Sequence, residues 1–79
     1  MSKIIKIEEN NSVLIISTEG YLNKDLATSI FDESSKYIDN GTRSVLINLS
    51  NSNIVNSIGA SIIIELILIS AFADLFNIL

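Results

Sequence analysis

No cysteine and no histidine occur among the 79 residues of this chain. The first absence removes disulfide staples, thiolate metal sites and cysteine nucleophiles. The second removes the usual general base and the commonest metal ligand. Positive charge is scarce as well: Lys3, Lys6, Lys24, Lys36 and Arg43 stand singly in a chain of net charge −4. With no basic stripe, nucleic acid is not an expected partner. The start, "MSKIIKIEENN", has no apolar segment of signal-peptide length and no small-residue cleavage site, so a cytoplasmic location is expected.

What the chain does have is apolar surface: 48% of its residues are hydrophobic and only 18% charged. Residues 1–79 make one small domain, near the lower limit of what a single core can stabilise, so burial must supply the stability. From Ile58 to Leu79 only Glu65, Asp74 and Asn77 interrupt apolar and small residues. That length could span a bilayer. Two acidic residues inside it would each cost roughly 2.5–3.5 kcal/mol near the centre, and no Lys/Arg cluster flanks it. A buried helix is the preferred reading, and no membrane is expected.

Two short β-branched runs, "KIIKI" (3–7) and "VLIIST" (13–18), flank the polar cluster "EENNS" and predict a hairpin. Gly20 ends the second strand, and Asn23 is a candidate N-cap for a helix over 24–39. Leu26, Ala27, Ile30, Phe31, Tyr37 and Ile38 share one face of that helix; charged residues occupy most of the other. "SVLINLS" (44–50) predicts a central strand buried on both faces, reached by a helical crossover. The loop "NSNIVN" follows, with Ile54 and Val55 expected to point inward. A second helix over 57–73 has a polar stripe through Ser57, Ser61 and Glu65 and is otherwise apolar, which predicts burial on nearly every side. "FADLFNIL" reads as a further amphipathic helix. The order β-β-α-β-α makes an α/β domain with a mixed sheet.

At "VNSIGAS" the element order meets a local motif. The sequence resembles the STAS domains of bacterial anti-sigma factor antagonists (anti-anti-sigma factors), in which a buried strand leads to an Asp-Ser-(Ser/Thr/Ala)-Gly loop and then an apolar helix. The matching features are "EGYLN" (19–23), the helix 24–39, "SVLINLS" (44–50) and "NSIG" (56–59), and they cover the chain to about Ser70. The resemblance implies a STAS-like α/β fold that is shortened here, with C-terminal strand and helix elements missing. It implies that Ser57 is phosphorylated by a serine-kinase anti-sigma factor, and that Asn56, Ser57, Ile58 and Gly59 form the partner-binding loop. It places Tyr21, Asn23 and Lys24 on the rim of the partner surface. Asn56 departs from the family's aspartate, and Ile58 from a commoner small residue.

The implied function is a switched one: the unphosphorylated protein binds the kinase and so frees a sigma factor, regulating transcription. A phosphate on Ser57 would meet the N-terminus of the second helix, where free N–H groups favour an anion. Read without the family, Ser57 is a helix N-cap, Asn56 a turn residue, and Gly59 a position that permits close packing. The alternatives are an unswitched STAS scaffold or sensor module, and a small membrane-associated protein anchored by residues 58–79. An enzyme, a cofactor and a metal site are not expected. Asp32 and Glu33 are neighbours on a helix and do not face each other, and "Gly-Ala-Ser" at 59–61 is no nucleophile elbow. The excess apolar surface of the second helix points to a homodimer, a domain swap or a larger parent.

Overall fold

A computed structural model describes residues 2–71 and 76–78, with side chains placed as far as Leu68. Strands β1 (Lys3–Asn10) and β2 (Val13–Glu19) form an antiparallel hairpin. Its two-residue turn, Asn11-Ser12, has positive φ at both positions, the geometry that matches the twist of the flanking strands. Helix α1 (Lys24–Asp39) then crosses to β3 (Ser44–Asn51), which lies parallel to β2. Helix α2 (Ser57–Ala71) crosses to β4 (Phe76–Ile78), parallel to β3. The sheet order is β1-β2-β3-β4.

Right-handed crossovers taken twice in the same direction along a sheet put both helices on one face. Burial along the strands shows this outcome. Leu14, Ile16 and Thr18 of β2 and Val45 and Ile47 of β3 are buried, while the alternate residues Val13, Ile15, Ser17, Leu46 and Asn48 are only half-buried. The core closes with Leu22, Leu26, Ala27, Ile30, Ile63 and Leu66 from the helical layer. On the 25 cal/mol per Å² scale, each large side chain buried this way contributes roughly 1.5–3 kcal/mol.

The α/β fold, the β-β-α-β-α order and the Asn23 cap are as the sequence predicts; four details differ. Residues 76–78 of the expected last helix form β4; the rest of that expected helix, 72–75 and 79, lies outside the described residues. Strand β3 is buried on one face only, because both crossovers use the same side. Helix α2 is not buried all round: Ile58, Ile64 and Leu68 are exposed beside Ser57, Ser61 and Glu65. Ile54 and Val55 are exposed, since the loop's inward anchor is the buried Thr18–Ser52 hydroxyl pair. Among the described residues, no helix is long and apolar enough to cross a membrane.

Candidate functional site

Residues 52–56 must carry the chain from the end of β3 to the start of α2 without a hydrophobic anchor. The anchor is a buried hydroxyl pair: Thr18 Oγ1 and Ser52 Oγ lie 2.7 Å apart at the bottom of the loop. Beyond it the loop runs beside residues 21–23. The Leu22 N–H donates to the Ile54 carbonyl (2.7 Å), and the Asn56 N–H donates to the Leu22 carbonyl (3.2 Å). This short parallel bridge between Leu22 and Val55 brings the starts of the two helices together.

Helix α2 opens with Ser57, so Ser57 occupies the first helical position rather than the cap. Asn56 is the cap: its Oδ1 accepts a 2.7 Å bond from the Gly59 N–H, and its carbonyl accepts from the Ala60 N–H at 3.0 Å. The amide of Asn56 thus does the work the sequence reading assigned to the Ser57 hydroxyl. Ser57 is exposed, and its carbonyl accepts from the Ser61 hydroxyl at 2.8 Å. No acidic residue stands in the first turn of α2, whose free N–H groups and positive dipole end therefore have no carboxylate of their own.

Gly59 is the buried member of the loop, and its role is steric. A Cβ there would overlap the carbonyl oxygen of Leu22 and lie 3.1 Å from that of Asn23. The absent side chain lets α2 sit directly on the 21–23 backbone. In the segments that flank the exposed hydroxyl, Ile54 (64% exposed), Val55 (50%), Ile58 (55%) and Tyr21 (40%) present apolar side chains to solvent. Asn23 is half-buried because its side chain caps α1, accepting from the Leu26 N–H at 3.0 Å. Lys24, the first residue of α1, is exposed.

The structure therefore brings the residues of the 56–59 loop beside the 21–23 segment. Sequence reasoning missed Thr18 and Ser52, which hold the loop in place. The available signal was parity: Thr18 follows Leu14 and Ile16 on the inward side of a strand.

The fold has counterparts among solved structures. A serine-to-glutamate variant of RsbS from Moorella thermoacetica superimposes with a TM-score of 0.75 at 16% identity, covering 92% of this chain and 63% of that one. The fold is STAS-like. A crystal structure of the protein named Mglu superimposes with a TM-score of 0.82 at 16% identity, over 95% of this chain. Its native form gives 0.71 at 14% identity, over 91% of this chain. The chain spans 19% and 21% of those two Mglu chains, and less than two thirds of the RsbS chain. No family model and no curated protein matches the sequence.

Proposed function

We propose that this STAS-like chain is an anti-sigma factor antagonist whose binding to a serine-kinase anti-sigma factor is switched by phosphorylation of Ser57. The observation that carries the reading is the placement of Ser57: an exposed hydroxyl at the first position of a helix that Asn56 already caps. A phosphate added there gains the open N-terminal end of α2 without displacing the cap. It also brings about −1.5 to −2 charges into an apolar partner surface made by Tyr21, Ile54, Val55 and Ile58, where desolvating it opposes binding. The fold remains in place while the affinity changes. The STAS-like likeness supports the protein-protein character of the site, and the engineered serine-to-glutamate change in the Moorella protein is of the kind that imitates a phosphoserine's charge.

Incubation with ATP and a serine kinase of the anti-sigma class tests the reading. The expected result is one phosphoryl group added, located at Ser57 by peptide mass spectrometry and absent in Ser57→Ala. A chain left unmodified by a kinase that it binds equally well as wild type, Ser57→Ala and Ser57→Asp would sink the switch and leave an unswitched scaffold.

A further inference from the structure

The helical layer does not cover the sheet evenly. Ile7 pairs with buried Ile16, and Ile4 with buried Thr18, so both point to the helix-bearing face of the sheet. Yet Ile7 is 36% exposed and Ile4 only partly buried. Between β1 and α1 lies an open groove of about 600 Å³, floored by Ile4, Ile7 and Leu26. Its α1 wall carries Asp25, Asp32 and Glu33. We infer that this groove is a docking site for a basic amphipathic helix of another protein, separate from the Ser57 surface.

Shape favours a helix. The wall from Asp25 to Lys36 is about 16 Å long at the α-helical rise, and a helix laid there continues the α1/α2 layer over β1. A strand added to the edge of β1 is disfavoured, because Lys3, Lys6, Glu8 and Glu9 and an irregularity between Ile4 and Lys6 guard that edge. Charge selects the sign of the occupant. The groove's lysines are engaged: Lys36 pairs with Glu33 at 3.2 Å, and Lys3 pairs with Glu19 at 3.9 Å. Asp25 and Asp32 remain, two turns apart on one stripe of α1. They match two cationic side chains at the same two-turn spacing on the occupant.

A second copy does not fit this description. The chain is itself acidic; α1 carries only Lys24 and Lys36 among its cations, and α2 carries none. The occupant is therefore a different protein whose helix has an apolar face bordered by arginine or lysine.

A synthetic helix-forming peptide of about four turns, with leucines along one face and arginines two turns apart, is the probe. Its titration is followed by amide resonances of the intact 79-residue chain. The expected result is saturable shifts at Ile4, Ile7, Asp25 and Asp32, with the Ser57–Gly59 amides unmoved. A matched peptide with glutamate in place of arginine should leave the spectrum unchanged. Asp25→Lys with Asp32→Lys should weaken binding about tenfold or more, and Ile7→Glu should weaken it comparably, both in chains whose dispersed spectra show the fold intact. Absence of saturable shifts, equal binding of the two peptides, or shifts confined to the Ser57 surface would overturn the proposal. The Ser57→Asp variant should bind the peptide as wild type does, so failure here is distinct from failure of the switch.

Discussion

The two helices begin alike and then diverge. In each, an asparagine caps the third N–H of the helix: Asn23 takes that of Leu26, and Asn56 takes that of Gly59. In α1 the first turn reads Lys24-Asp25-Leu26. Asp25 complements the positive end of the helix from within, and Leu26 drives into the core. In α2 it reads Ser57-Ile58-Gly59, with no acidic residue and no side chain at the buried position. One helix is anchored by a side chain and supplied with its own anion. The other rests on backbone contact and has no anion of its own in the first turn. The same cap therefore begins both helices, and the proposed switch concerns only the second.

The strongest way to break this contrast is to exchange what sits at the third position. Gly59→Ala forces a methyl group into the Leu22 carbonyl and should lower stability by about 3 kcal/mol, as overpacking against backbone cannot relax cheaply. The Asn56 amide, which donates to that carbonyl, should lose hydrogen-exchange protection at the same time. Leu26→Ala at the matching position of α1 should cost about 2–5 kcal/mol through a cavity instead, leaving Asn56 exchange lowered only with global stability. Denaturant titration and exchange rates together separate the two.

A smaller effect is expected beneath the loop. Thr18→Val leaves the Ser52 hydroxyl buried without its partner, and should cost about 1–3 kcal/mol in denaturant unfolding. The smallest effects lie at the caps. Asn23→Ala and Asn56→Ala should each cost about 1 kcal/mol. Asn56→Asp should recover about 0.3–1 kcal/mol over wild type in thermal unfolding, because α2 lacks an anion in its first turn. Asn23→Asp, beside Asp25, should gain less. Equal gains at the two sites would remove the electrostatic half of the comparison.

Much of this was legible from residue patterns. The strands declared themselves by β-branched runs, and α1 by its periodic apolar face and its asparagine. The motif "NSIG" pointed to the loop that the structure places against residues 21–23. Three features were hidden for physical reasons. Ser57 and Asn56 are both good caps, and only the helix start decides which of them bonds the Gly59 N–H. Ile54 and Val55 look like core residues, but the inward anchor of their loop is the Thr18–Ser52 pair, formed by residues 34 positions apart. The uniform apolarity of α2 implied burial all round, whereas two crossovers on the same face leave its outer side open. Ser34 was not among the residues read as the inward face of α1, yet its hydroxyl is buried there with no partner among the described residues.

The proposed function makes the open start of α2 a switch. The most direct measurement is a calorimetric titration of a serine-kinase anti-sigma factor with the chain, first unmodified and then phosphorylated at Ser57. The prediction is tight binding of the unmodified chain and a loss of about a hundredfold on phosphorylation, roughly the 2.7 kcal/mol that desolvating a phosphate in an apolar contact readily exceeds. Thermal unfolding of the phosphorylated chain should be unchanged or shifted upward, since the anion meets a helix N-terminus. Equal affinity of the two forms, or unfolding of the chain on phosphorylation, would contradict it.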